Sequence, residues 1–205
     1  MRETELPPTA EAKTADDPTN QPPATVSERL LLFVIALLVI GIDQFSKYLV
    51  ESNLALYEVY APIPSLESIF RFFHIYNTGA TFGLFPNGGE IFRILAIFVS
   101  LGIVYFNHVL PGQQPRLRLA LGLQMGGALG NMIDRFRLGH VTDFIDIGPW
   151  YIFNLADLAV VSGAVILGVL FYQETRELKA RQAKINQQDA AVETAVPPQT
   201  DPSHE

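Results

Sequence analysis

The run from Tyr151 to Tyr172 is apolar throughout except for Asn154, Asp157 and Ser162. At about 1.5 Å per helical residue, such a run reaches across a bilayer core of roughly 30 Å. An acid inside a membrane helix costs about 2.5–3.5 kcal/mol on insertion scales, so Asp157 needs a reason to be there. The residues just before it add Asp143 and Asp146 among Phe144, Ile145, Ile147, Trp150, Ile152 and Phe153. Whatever the chain folds into must accommodate this acidic, aromatic stretch and the apolar run that follows it.

Three other segments are comparably apolar. Leu30 to Val50 is uncharged as far as Ile42 and then holds Asp43 and Lys47, which are four apart, share a helix face and can pair. Ile91 to Leu110 ends at Pro111–Gly112, and the short connector makes the next helix an antiparallel neighbour. Leu117 to Ile133 carries Gly122, Gly126 and Gly130 at four-residue intervals, a pattern that lets transmembrane backbones approach closely. The pattern predicts an all-α membrane protein with four transmembrane helices over about residues 30–50, 91–110, 117–133 and 151–172.

Between the first two spans, residues 52–89 are broken by Pro62, Pro64 and Pro86 and by the turn residues Asn77–Thr78–Gly79 and Asn87–Gly88–Gly89. Within them, IFRFFHIYN (69–77) reads as a short strand, so a small extracytoplasmic β-rich subdomain is expected there, its aromatics lying against lipid headgroups. Residues 1–28 are rich in Pro, Thr, Ala and acids and read as a disordered cytoplasmic tail. They lack the basic start and apolar run of a cleaved signal peptide. The membrane domain is then residues 29–175, with 176–205 a charged, largely disordered cytoplasmic tail.

Composition removes several chemistries. There is no cysteine, which excludes disulfides, thiolate nucleophiles and Cys-based metal sites. The net charge of −7 says little about partners, because ten of the 21 acids lie in residues 1–28 and 185–205. No basic stripe points to nucleic acid.

Four spans put both termini on one side. With that side cytoplasmic, nine Lys/Arg fall inside (Arg2, Lys13, Arg29, Arg116, Arg118, Arg176, Lys179, Arg181, Lys184) and five outside (Lys47, Arg71, Arg93, Arg135, Arg137). The positive-inside rule favours this orientation. Asp43 then lies about 10 Å and Asp157 about 9 Å beneath the outer surface. Asn131 and Asp134 sit at the outer end of the third span, and Asp143 lies at that interface. Nothing comparable is expected at the inner ends, so the polar residues converge just below the outer surface.

No GxSxG and no HExxH is present, and no histidine neighbours a plausible activated serine. His140, Asp143 and Asp146, spaced three apart, are a weak cation signal, and no metal is expected. Carboxylates remain. Two held close in a low dielectric share one proton, so the ionised member can activate water while the protonated one donates to a carbonyl. Asp157 is the firmest member, with Asn154 on its face. Its partner lies among Asp43, Asp134, Asp143 and Asp146. Asp134 adjoins Arg135, Asp43 has Lys47, and Asp146 precedes Gly148–Pro149 like a turn residue. Asp143 is favoured, because only Thr142 and apolar residues adjoin it and Gly148–Pro149 lets the chain bend back.

The segments DQFSK (43–47), YNTGATFGLF (76–85), GGALGNMIDR (126–135), GHVTDFID (139–146) and FNLAD (153–157) together resemble lipoprotein signal peptidase, or signal peptidase II, over roughly residues 29–173. The resemblance implies an aspartic endopeptidase of the bacterial inner membrane, with no cofactor and its active site near the periplasmic leaflet. Its substrates would be diacylglyceryl prolipoproteins, cut on the amino side of the lipid-modified cysteine. By motif, the catalytic dyad falls on Asp143 and Asp157. Asn77, Asn131 and Arg135 match substrate-binding positions, and Asp43, Asp134 and Asn154 supporting ones. A monomer among membrane lipids is expected, and the resemblance implies that it binds globomycin-like cyclic peptides.

Two other classes compete. A proton-coupled transporter would place polar residues at several depths, whereas here the inner halves hold mainly Gln124. A scaffold would use its acids only to pair with Lys47, Arg135 and Arg137. The GxGD motif of other intramembrane aspartic proteases is missing.

Overall fold

A computed structural model describes residues 22–79 and 89–195, with side chains as far as 188. Residues 1–21, 80–88 and 196–205 lie outside the described residues, and with them most of the expected N-terminal tail and the ATFGLF part of the second motif. Helix α1 spans Val26–Asn53. The Thr25 hydroxyl accepts from the Glu28 backbone N–H, and the Glu28 carboxylate accepts from the Thr25 N–H at 2.8 Å. This capping box starts the helix inside the segment assigned to the tail.

Helix α2 spans Gly89–Val109 and α3 spans Pro115–Arg137, with Pro115 in the first turn, where its missing N–H costs nothing. Helix α4 spans Leu155–Ala195. The expectation of a largely disordered tail from residue 176 therefore fails as far as Ala195. ETRELKARQAK is made mostly of strong helix formers, and it extends a helix that has already nucleated.

Helix α3 is central and packs against α1, α4 and α2. Its glycine stripe is the reason α1 can come so close. A Cβ on Gly122 would lie 2.8 Å from the Leu32 carbonyl oxygen, on Gly126 2.7 Å from Val39, and on Gly130 2.7 Å from an Asp43 carboxylate oxygen. The opposite face of the same helix is just as tight, with Gly127 lying against Ala156 and Val160 of α4.

Outward, the fold is apolar. Leu37 on α1, Phe98 on α2 and Phe171 on α4 are each more than two-thirds exposed, among many large apolar neighbours. Two helices, Gly89–Val109 and Leu155–Gln188, are long and apolar enough to cross a membrane by length and composition.

The sheet has three antiparallel strands in the order β1 (Val59–Tyr60), β2 (Arg71–Asn77), β3 (Val141–Asp146). β2 falls on the expected strand. β3 is a correction, because the β-rich part was placed wholly between the first two helices and its third strand comes from between α3 and α4. Its acids weaken the strand signal. Asp146 proves to be not a turn residue but the strand's buried end, where its carboxylate takes the Arg71 Nε–H at 2.6 Å across the register.

Past β3 the chain turns at Gly148 (φ +55°) and runs back beside the strand, Phe153 exchanging backbone hydrogen bonds with Ile145. Phe153 thus bridges to the sheet edge, and the fourth helix begins four residues later than expected. The far end of the bundle is also less bare than expected: Arg118 is fully buried and donates to the Pro111 carbonyl at 2.9 Å, and Asn107 donates to that of Arg29 at 3.0 Å. Both groups tie off chain ends with backbone partners.

Candidate active site

Asn154 stands immediately before α4, and its side-chain oxygen accepts the Asp157 N–H at 2.9 Å. Asp157 reaches back to the Asn154 N–H at 3.4 Å, so N-L-A-D is a capping box with aspartate as the reciprocal acid. The next amide, Ala156 N–H, donates to Asp43 Oδ1 of α1 at 3.0 Å. The positive end of the α4 dipole therefore faces Asp157 and Asp43. Asp157 sits in the first helical turn, two residues after the helix start and not six as the sequence suggested, and opens partly onto a cavity.

Asp143 lies on β3 opposite Ile75, and Asn77 opposite Val141, so Asn77 is its diagonal cross-strand neighbour. Asn77 Nδ2 donates to Asp143 Oδ2 at 2.8 Å, and Asn154 Nδ2 donates to Asp143 Oδ1 at 2.6 Å. On the other acid, Asn131 Nδ2 donates to Asp157 Oδ1 at 2.8 Å. Asn154 also donates to Asn131 Oδ1 at 3.1 Å, so Asn154 and Asn131 link the two carboxylates while Asn77 braces Asp143 from β2. Both acids line one cavity of about 310 Å³, with Arg135, Phe92, Gln124 and Val160 on its other walls.

Burial pushes the Asp143 carboxyl up to about 7, and the neighbouring Asp157 charge pushes the same way. Its two asparagine donors and Lys47 favour the anion but are outweighed. The pair can thus hold one proton near neutral pH.

Behind the pair stands a buried ion triad. Lys47 Nζ lies 2.8 Å from Asp43 and 2.7 Å from Asp134, all three side chains at most 2% exposed. The sequence paired Asp134 with Arg135, but its cation is Lys47. Lys47 also donates to Asn131 Oδ1 at 2.9 Å, which orients that amide so that its Nδ2 faces Asp157. Lys47 is the residue that sequence reasoning undervalued. Its spacing from Asp43 was legible, but its contacts on α3 are tertiary.

Arg135 donates to the Asn131 carbonyl at 3.3 Å, stacks over the Phe92 ring at 5.3 Å, and faces the same cavity. Among the described residues, no group of three His, Asp or Glu side chains is placed to hold a metal ion, and His140 lies against Tyr76 with ring centroids 3.7 Å apart. The eight sequence-predicted residues accordingly fall into two adjoining sets: Asn77, Asn131, Arg135, Asp143 and Asp157 around the cavity, and Asp43, Asp134 and Asn154 holding the parts together.

Two amide-held carboxylates facing one cavity, with no stronger nucleophile beside them among the described residues, is the chemistry of an aspartic hydrolase. The family model described as signal peptidase (SPase) II matches residues 35–173, and the chain belongs to that family. It is an aspartic endopeptidase of the lipoprotein signal peptidase type, which removes signal peptides from prolipoproteins. The "Lipoprotein signal peptidase" of Moorella thermoacetica is 43% identical over 134 residues, covering 65% of this chain and 87% of that protein. Those of Rhodococcus jostii and Pseudomonas syringae pv. tomato are 37% and 36% identical, over 78% and 76% of this chain and 83% and 95% of theirs. A bacterial membrane enzyme structure obtained by the in meso method at 2.3 Å resolution superposes with a TM-score of 0.67 at 27% identity, over 76% of this chain and 93% of that one. A second, at 1.9 Å resolution, gives 0.63 at 27% identity over 74% and 96%. The transporter and scaffold readings fall away with this membership.

Proposed function

We propose that Asp143 and Asp157 are the catalytic dyad and that they cut diacylglyceryl prolipoproteins on the amino side of the lipid-modified cysteine. The observation that carries this is the shared cavity, into which both carboxylates open while asparagines fix their orientation. The ionised carboxylate takes a proton from a water molecule, whose oxygen attacks the scissile carbonyl carbon. The protonated carboxyl donates to the carbonyl oxygen as charge develops there. Collapse of the tetrahedral intermediate breaks the C–N bond, and a proton passes to the departing amine of the cysteine. Asn77, Asn131 and Arg135 hold the substrate backbone beside the pair.

The enzyme crosses the bacterial inner membrane four times, with both termini cytoplasmic and the sheet outside. For α2 and α4 the reason is length and composition. For α1 it is an outward apolar face, together with an Asp43–Lys47 pair neutralised inside the bundle. Helix α3 follows because its polar and small residues face inward and its three neighbours shield it. A substrate anchored by two acyl chains in the outer leaflet presents its cysteine at the depth of α4's first turn. The chain acts as a monomer among membrane lipids, and globomycin-like cyclic peptides occupy the same cavity.

The test is cleavage by the purified protein of a diacylglyceryl prolipopeptide and of the same peptide without lipid. The lipidated form is expected to be cut far faster, on the amino side of the cysteine. Equal cleavage of both would remove lipid recognition from the reading.

A further inference from the structure

One face of α1 reaches all four elements that surround the acidic pair. Asp43, Lys47 and Glu51 follow one another at four-residue spacing, so they lie on the same side of the helix. Asp43 accepts the Ala156 N–H of α4, and Lys47 bonds Asp134 and Asn131 of α3. At the end of α1 the Leu54 carbonyl bonds the His74 ring of β2 at 2.9 Å. Glu51 completes the series on β3, where its Oε1 accepts the Thr142 hydroxyl proton at 2.7 Å. The first two contacts serve the site already described; the last has no part in it so far.

Thr142 is fully buried and directly precedes Asp143. Successive side chains of a strand point to opposite faces. Asp143 accordingly turns to Asn77 and Asn154 in the cavity, while Thr142 turns back to α1. The asparagines hold the Asp143 carboxylate, but the backbone behind it has weak support on one side. The β2–β3 register runs regularly from Asn77 to Ile75, opposite Asp143, and then shifts before Phe72. Such an irregularity inserts an extra residue and interrupts the ladder. The Thr142 N–H reaches Asp134 Oδ2 only at 3.4 Å. A hydroxyl donating to a carboxylate makes one of the stronger hydrogen bonds in proteins. Glu51 is free to serve in this way. It is half-buried and enters no ion pair among the described residues, and burial holds the neighbouring His140 imidazole below its ordinary value despite the Glu51 charge.

Taking the dyad from the proposed function, we infer that Glu51 is a positioning residue for the reaction: through the Thr142 hydroxyl it fixes β3, and with it Asp143, against the α1 face that also sets α3 and α4. Glu51 does not line the cavity, and Asn77, Asn131 and Arg135 hold the substrate without it. Its loss therefore falls on the chemical step and leaves substrate binding alone. A shift of about 1 Å in a reacting group can cost up to about a hundredfold in rate.

The test measures kcat and KM for a diacylglyceryl prolipopeptide with the full-length protein in phospholipid nanodiscs. Glu51→Ala and Thr142→Val are each expected to lower kcat by about five- to fiftyfold with KM within about twofold. The double variant is expected to be no slower than the slower single one, because both changes break the same contact. Glu51→Gln keeps an acceptor and Thr142→Ser keeps a hydroxyl, so each is expected to recover kcat to within about threefold of the wild type. Should Thr142→Val fail to fold, Glu51→Ala and Glu51→Gln, altered at a half-buried position, still decide the matter. An unchanged kcat in Glu51→Ala would overturn the inference and leave Glu51 a solvated acid. Losses that multiply in the double variant, or that fall on KM, would overturn it as well, as would conservative variants that recover nothing. If the wild type does not cleave the peptide, the functional reading itself fails and takes this inference with it.

Discussion

Asp143 is held where burial and a neighbouring carboxylate both oppose its charge, and two asparagine donors do not compensate. In the unfolded chain its pKa returns to about 3.9. Between that value and about 7 the native protein keeps a proton that the unfolded chain has lost, so this group makes stability fall as pH rises through that window. The fall is at most about 4 kcal/mol and levels off above neutrality. Asp143→Asn should therefore remove much of the difference between thermal midpoints measured in micelles at pH 5 and pH 8. For the wild type, kcat/KM should decline on an alkaline limb near pH 7 as the shared proton is lost. Lys47→Met presents the converse case, leaving Asp43 and Asp134 buried without their cation. A loss of about 3–5 kcal/mol is expected in reversible unfolding, with activity falling as Asn131 loses its orienting donor. At this scale Asp157 was legible, because an acid in an apolar run announces itself. The N-x-x-D cap was written in the sequence too, although Asp157 read there as an intramembrane acid and not as a first-turn residue. The partners of Lys47 were not legible, since they lie on another helix.

At the scale of elements, the fold rests on how closely α1 and α4 approach α3. Gly126→Leu would drive a side chain into Val39 and Ala36, and a loss of about 1–3 kcal/mol is expected in the same unfolding assay. Gly130→Ala is more specific, because its Cβ meets the Asp43 carboxylate that caps α4. Activity should fall in that variant even where the midpoint changes little. The glycine spacing made α3's packing face readable from sequence. Strand β3 was not readable: its VTDFID stretch is buried on both faces, so the usual alternation of apolar and polar residues is missing. The extension of α4 to Ala195 escaped for another reason: charge was read as disorder where helix propensity decided.

For the whole molecule, the absence of native cysteine offers a direct test of orientation. Single substitutions Gln113→Cys, between α2 and α3, and Trp150→Cys, between β3 and α4, place one thiol at each end of the bundle. A membrane-impermeant maleimide added to spheroplasts should label Trp150→Cys at once and Gln113→Cys only after permeabilisation; the reverse order would invert the topology. Order, spacing and motif sufficed to read the family from sequence, because five motifs fall in order on and between the apolar runs. The meeting of β3 with the start of α4 needed coordinates, because residues 147–153 mediate it through backbone bonds that no side-chain pattern records.

The central claim is that the two acids do the chemistry together. It is tested most directly by assaying Asp143→Asn and Asp157→Asn, each purified in folded form, against a diacylglyceryl prolipopeptide. The account predicts wild-type-like insertion and no detectable cleavage for either variant. Sustained processing by either one would contradict it.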